Sequence, residues 1–252
     1  DTLEVEVIRK KIRWQLVDSA GVRKKAKVMG RGADPVEIFS VEKSLKQIDR
    51  MDFALFVIEA HPNGDVASQD KKLLHLIRAS AIPTIILVNK WDLIRKQWTE
   101  EKYRSKLKDF LGDLHFLPIL FVSAKTGFHL EKIFQLLGEI QNRISHRIPT
   151  SQVNHWLHEL VARKPPRIAK KGVNSDKGRS PTRYVHIQYG LQVRKRPFTL
   201  QFFCNAPHAI AEDDKRYMES QFRDAFHLTG IPLKLVFRKK NKAMSYTASS
   251  NR

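Results

Sequence analysis

A chain of 252 residues with 42% hydrophobic content has room for one large core or two modest ones. Its formal charge of +20 implies a polyanionic partner, because such a field attracts phosphate backbones and acidic membranes alike. The longest apolar runs, 54–58, 82–88 and 118–122, fall short of the roughly 18 residues a membrane span needs, and the lone Cys204 excludes an internal disulfide framework.

Asp1 begins an alternating charged and apolar stretch, not the basic and then apolar pattern of a signal peptide. No Cys or His cluster has zinc-ligand spacing. No basic helix carries a large exposed apolar face, so a membrane partner is not expected. A reducing compartment is expected, either a bacterial cytoplasm or an organelle matrix. The charge is uneven: from Ser151 onward stand 20 of the 46 Lys and Arg but 7 of the 26 Asp and Glu, net +13 against +7 before it. The anion-binding surface is expected mainly in the C-terminal part.

In chain order, residues 2–8 and 12–17 predict a hairpin joined through Arg9-Lys10-Lys11. A helical pattern follows at 40–48. Three short apolar runs at 53–58, 84–88 and 119–122 predict strands buried on both faces. Helical patterns at 67–79, 99–110 and 130–143 alternate with them. In the last, Leu130, Ile133, Phe134, Leu137 and Ile140 share one face. This alternation predicts an α/β domain, a mostly parallel sheet with helices on both faces.

Pro149 predicts a helix end at or before Ile148. Ser151 is placed to cap a helix to about Arg163, with Val153, Trp156, Leu157 and Leu160 on one face. A loop at 168–181, strands at 184–192 and 198–205, a helix at 213–226 and a strand at 233–237 give the order α-β-β-α-β. Residues 239–252 are polar, basic and aperiodic, as a disordered tail is. The expected domains are thus 1–148 and 151–238, with the tail 239–252.

Three loops carry chemistry. Asn89-Lys90-Trp91-Asp92 follows the run Ile85-Ile86-Leu87-Val88, and open α/β sheets bind ligands at the carboxyl ends of their strands. A carboxylate at Asp92 accepts two hydrogen bonds from the adjacent N1-H and N2-H donors of guanine, where adenine has an acceptor at N1. Each such charge-assisted bond is worth roughly 1.5–3 kcal/mol. Taken alone, the tetrapeptide is also compatible with an ordinary polar turn. Ser123-Ala124-Lys125, after the next buried strand, adds a small residue whose backbone N-H can approach the guanine carbonyl. Asp18-Ser19-Ala20-Gly21 ends the second hairpin strand: a carboxylate there can hold the water shell of Mg²⁺, and Gly21 lets a backbone amide approach a terminal phosphate. A turn is the competing reading of that third loop.

With these motifs, and with Val22-Arg23, Thr150-Ser151, Pro165-Pro166, Lys215-Arg216-Tyr217-Met218-Glu219 and Gly230-Ile231-Pro232-Leu233, the chain resembles the bacterial double-GTPase family called Der or EngA. The likeness runs from within the second GTPase domain to the C-terminal KH-like domain. It implies a P-loop-NTPase-type (Ras-like) GTPase domain at 1–148, a smaller α+β KH-like domain at 151–238, and GTP or GDP with Mg²⁺ as ligands. Asp18 would act on Mg²⁺ through water and Gly21 on the γ-phosphate. Asn89, Lys90 and Asp92 would read guanine, supported by Ser123, Ala124 and Lys125. Val22 stands where many GTPases place a glutamine, so no catalytic residue is assigned. Water ordering would fall to backbone groups, a monovalent cation such as K⁺, or the ribosome.

No Gly-x-x-x-x-Gly-Lys-Ser/Thr occurs in these residues. The resemblance implies that this phosphate loop, the switch threonine and a first GTPase domain precede Asp1 in a parent protein, and that this chain alone hydrolyses GTP hardly at all. It further implies association with large-subunit ribosomal RNA during ribosome assembly, with the upstream GTPase domain as a partner in the same polypeptide and no DNA. The other reading is a non-catalytic RNA-binding or ribosome-tethering protein with a degenerate nucleotide fold.

The KH-like part lacks the Gly-x-x-Gly loop that clamps backbone nucleotides in ordinary KH domains. Candidate phosphate contacts are Lys170, Lys171, Lys177, Arg179, Arg194, Lys195, Arg196, Arg238, Lys239 and Lys240. A merely solvated basic face is the alternative for any one of them. Strand alternation and helix-face spacing assign Phe198, Phe202, Phe203, Phe222 and Phe226 mostly to the core rather than to base stacking. Cys204 reads as a small buried residue.

Overall fold

The computed structural model describes residues 4–17, 51–67, 70, 73–74, 80–168 and 184–239. It opens with β1 (Glu4–Arg9) and β2 (Ile12–Val17), antiparallel from Glu4↔Val17 to Arg9↔Ile12. Lys10 and Lys11 form the turn with φ of 48° and 65°. Both central residues of a twist-matched two-residue hairpin need this left-handed backbone, which costs a side-chain-bearing residue about 1–2 kcal/mol. On one face of the hairpin Trp14 sits 6.0 Å from the Phe53 ring and 6.2 Å from the Phe134 ring.

A parallel sheet in the order β3-β4-β5 follows, built from β3 (Ala54–Glu59), β4 (Thr84–Asn89) and β5 (Ile119–Phe121). Central β4 is buried from Thr84 to Val88, as its unbroken apolar run predicts. Phe56, Ile58, Ile86, Val88, Ile119 and Phe121 form one core with Tyr103 and Leu107 of α2 (Glu100–Leu111). Each such burial contributes roughly 1.5–3 kcal/mol. Thr99 caps α2 by accepting the Lys102 N-H at 3.3 Å, and Glu100 and Glu101 follow in the first turn, where the helix dipole favours acids. Short α1 (Trp91–Ile94) precedes it. Helix α3 (Leu130–Ser145) buries Ile133, Leu137 and Ile140, three of the residues predicted on one face.

A second unit begins near the end of α3. The chain divides into Asp1–Asn142 with Thr229–Pro232, and Arg143–Leu228 with Leu233–Arg252. Its elements are α4 (Thr150–Arg163), β6 (Ile187–Arg194), β7 (Thr199–Cys204), α5 (Glu212–Ala225) and β8 (Lys234–Arg238), the predicted α-β-β-α-β order. One expectation is corrected: α4 starts two residues early, with Pro149 rather than Ser151 at the cap position and no side-chain cap bond. Proline fixes φ near the value a helix entry tolerates, so Ser151 lies inside the first turn.

β6 and β7 pair antiparallel, β7 and β8 parallel. Trp156 of α4 packs against Phe222 of α5 at 4.8 Å and Phe202 of β7 at 6.3 Å. Asn154 fastens α4 to β6: its Oδ1 accepts Gly190 N-H at 2.8 Å and its Nδ2 donates to Gly190 O at 3.1 Å. A Cβ at position 190 would lie 2.4 Å from Cδ1 of Phe202, so a side chain there requires that ring to move.

Buried Asp214 on α5 accepts from Arg167 at Nε (3.2 Å), Nη2 (3.0 Å) and the backbone N-H (2.7 Å). Burial pushes the Asp214 carboxyl up, but the hydrogen bonds and charge of Arg167 outweigh it, and the group titrates below the ordinary carboxylate value. Cys204 is 2% exposed and burial raises its thiol pKa, as expected of a small core residue. The predicted helix at 40–48, most of the element at 67–79, all but the first residue of the loop at 168–181 and nearly all of the tail lie outside the described residues.

Candidate nucleotide site and basic surfaces

Parallel β4 and β5 end side by side, and their carboxyl ends bring the two sequence loops together. Asn89 Oδ1 accepts the backbone N-H of Ala124 at 3.0 Å. Trp91 N-H donates to Val122 O at 3.0 Å, and Val122 N-H to Val88 O at 2.9 Å, which continues the ladder into the loops. Asn89 is thus a structural bridge between the loops. That role needs an amide oxygen at the last position of the buried strand.

Lys90 holds φ 63° and ψ 27°, a left-handed backbone that a lysine adopts only where its neighbours enforce it. Trp91 does the enforcing: it is 3% exposed, its ring 4.4 Å from Phe121 and 5.5 Å from Tyr103. The Lys90 ammonium meets Glu59 Oε1 at 2.7 Å, from the end of β3. Both side chains are about half exposed, so the pair orients Lys90 more than it stabilises the fold. Asp92 is half-buried in the first turn of α1, and among the described residues its carboxylate has no hydrogen-bond or ion-pair partner.

The second loop is closed on itself. Buried Ser123 donates its N-H to Phe128 O at 3.2 Å, and its Oγ accepts Thr126 N-H at 3.2 Å. Gly127 supplies the turn with φ 78°. Ala124 and Lys125 stand exposed on its outer side. Phe128 stacks on His129 at 3.7 Å, and His129 Nδ1 lies 3.1 Å from Phe121 O. Sequence pattern singles out neither Glu59 nor Phe128; an acid at a strand end and an aromatic in a loop have no distinctive spacing.

These groups suit the base of a guanine nucleotide: a half-exposed carboxylate, an amide-braced loop and a lysine stem at one strand edge. Asp18, Gly21 and Val22 lie outside the described residues. Among the described residues no group of three His, Cys, Asp or Glu side chains is placed to hold a metal ion.

The basic candidates fall at two ends of the second sheet. Arg194, Lys195 and Arg196 are exposed at the β6–β7 turn, where Thr199 pairs with Lys234; Arg238 and Lys239 are exposed where Phe203 pairs with Arg238. Four residues of strand, about 13 Å, separate the two levels. Lys195 Nζ also donates to Ser145 O. Lys170, Lys171, Lys177, Arg179 and Lys240 lie outside the described residues. Of the aromatics, Phe198, Phe202 and Phe222 are buried as expected. Phe203 is the exception to that majority: alternation along β7 turns it to the face opposite Phe202, where it stacks on Tyr189.

Two family models together cover most of the sequence. Residues 3–145 match the GTP-binding domain of elongation factor Tu. Residues 147–238 match the KH-domain-like C-terminal part of EngA bacterial GTPase enzymes. The chain belongs to the Der/EngA GTPase family. It is 33% identical over 243 residues to GTPase Der of Natranaerobius thermophilus, covering 96% of this chain and 51% of that protein. Against GTPase Der of Crocosphaera subtropica it is 36% identical over 253 residues, covering 100% of this chain and 52% of that protein. The chain therefore spans about half the length of the Der relatives it matches.

Among solved structures, Era of Aquifex aeolicus bound to GDP and aluminium fluoride is similar at 15% identity and a TM-score of 0.42, over 95% of this chain and 80% of that one. The elongation factor SelB of Methanococcus maripaludis is similar at 23% identity and a TM-score of 0.40, over 56% of this chain and 28% of that one. In this Der/EngA chain, no described helix is long and apolar enough to cross a membrane.

Proposed function

We propose that this chain supplies the guanine-reading half of a ribosome-assembly GTPase. The bond from Ala124 N-H to Asn89 Oδ1 carries the reading, because it fixes the two loops at one strand edge and leaves Asp92 beside them with an unpaired carboxylate. Asp92 accepts guanine N1-H and N2-H, the Lys90 stem lies along the base, and Ala124, flanked by Ser123 and Lys125, offers the loop backbone to the guanine carbonyl. By family likeness Asp18 holds Mg²⁺ through water and Gly21 meets the γ-phosphate. The chain itself contains no phosphate-loop lysine, so its own nucleotide affinity is low and turnover belongs to the complete site.

The domain proposal is 1–148 for nucleotide and 151–238 for RNA. The net +13 of the C-terminal part supports a ribosomal RNA partner, and we assign large-subunit assembly on family likeness.

Displacement of a labelled guanine nucleotide from the full-length protein tests the base assignment: GDP competes and ADP does not, and Asp92→Asn reduces the preference. Equal competition by ADP removes the guanine assignment. Binding to ribosomal particles should weaken steeply with added salt, as counterion release requires. Salt-independent binding would remove the RNA half.

A further inference from the structure

The second unit has a sheet face that the KH-like reading leaves unused. Both described helices lie on its other side, where Trp156 meets Phe202 and Phe222 and where Phe237 stacks on Phe202 at 5.5 Å. On the opposite face, strand register places Tyr189, Phe203 and Arg238 in one row across β6, β7 and β8. The Tyr189 and Phe203 rings are stacked, 4.6 Å apart with an interplanar angle of 17°. Both are half-buried, and Arg238 is exposed. Three neighbouring side chains thus end in planar π groups, two aromatic and one cationic.

The surrounding charge says what such a row takes. β6, β7 and β8 contain no Asp or Glu, and their cations are Arg194, Lys234 and Arg238. Lys234 stands at the far end of the same face, in register with Thr199 and, through it, with Arg194. An apolar protein partner would need no such one-signed border. A flat apolar ligand linked by anions would use all of it.

We propose that the face of this sheet opposite its described helices is a base-stacking platform for single-stranded RNA. One or two unpaired bases stack on the Tyr189–Phe203 row, Arg238 covers the edge of that row, and Lys234 and Arg194 neutralise the following phosphates. This rests on the RNA half of the proposed function and gives it a site. The mode also differs from the backbone clamp whose Gly-x-x-Gly loop is missing here. Duplex RNA, whose bases are already stacked, gains only the electrostatic part.

The test is fluorescence titration of the 252-residue chain with a short single-stranded oligoribonucleotide carrying 2-aminopurine, and with the same sequence in a duplex. The native chain quenches 2-aminopurine in the single strand. Phe203→Leu and Tyr189→Leu each weaken single-strand binding on the order of 10-fold, abolish the quenching and leave duplex binding unchanged. Tyr189→Phe, which keeps the ring, behaves as native, and Lys234→Gln, which removes a phosphate contact, lowers the salt slope by about one phosphate. Thermal unfolding of each variant separates loss of the ring from loss of the fold. Equal binding by native and Leu variants without quenching overturns the platform while leaving charge-driven RNA binding intact. Unchanged RNA affinity with an altered sedimentation coefficient in Phe203→Leu assigns the face to a protein contact and also overturns it. Binding of neither RNA at low salt removes the RNA reading itself.

Discussion

Asn89 and Asp92 divide the work of one loop, and their substitutions should separate accordingly. Asn89→Ala removes the acceptor of Ala124 N-H, so the Ser123 loop loses its brace; a cost of about 0.5–1.5 kcal/mol in stability and weaker binding of every guanine nucleotide are expected by thermal melts and titration. Asp92, without a protein partner among the described residues, should be neutral for stability when replaced by Asn. Glu59→Gln frees the Lys90 ammonium with less than about 1 kcal/mol lost, because the pair is half exposed.

Asp214 is the residue where pH should speak. Its folded pKa lies below the ordinary value, so its stabilising contribution is full above the unfolded carboxylate pKa near about 3.9 and is lost as pH falls through the folded value. Asp214→Asn should therefore cost about 1–3 kcal/mol at neutral pH and flatten the acid limb of the stability curve, measured by urea unfolding across pH 2–7. A variant that keeps the native acid limb would show that other carboxylates set it.

At the level of elements, the first sheet and its loops are legible because each strand is an unbroken apolar run that stops at a polar loop; Ile85 to Val88 followed by Asn89 announces both the buried strand and its ligand edge. Helix α2 is equally readable, since Thr99 is a good cap and two acids follow it. Thr99→Ala should lower the melting midpoint by the equivalent of about 1 kcal/mol. The faces of β7 were not readable in the same way. Its sequence TLQFFC puts aromatics at adjacent positions, and period 2 cannot tell which one faces the helices until α4 and α5 are placed. Asp214 was hidden for a related reason: in Glu212-Asp213-Asp214 three acids read as a solvated helix start, and only Arg167, 47 residues away, makes the third a buried partner. Gly190→Ala tests the packing at this scale: the Phe202 ring must move to admit the methyl, at about 1–3 kcal/mol in stability.

For the whole molecule, charge and nucleotide chemistry are separately placed. The two loops proposed to read guanine sit on the first unit, and the net +13 lies in the sequence of the C-terminal part. That separation was readable from two loop motifs on one side and a count of charges on the other. The position of individual cations was not, because the exposed candidates occupy two ends of one sheet and a charge run carries no information on strand register. The guanine-reading proposal turns on which base Asp92 selects. Competition of GDP, ADP and XDP for a labelled guanine nucleotide, on the full-length protein, native and Asp92→Asn, decides it: xanthine exchanges the 2-amino donor for a carbonyl acceptor, which pairs with the Asn amide instead of a carboxylate. The native protein should prefer GDP and the variant should shift toward XDP. A native protein that binds ADP as well as GDP, or a variant with unchanged preference, would contradict the guanine-reading site.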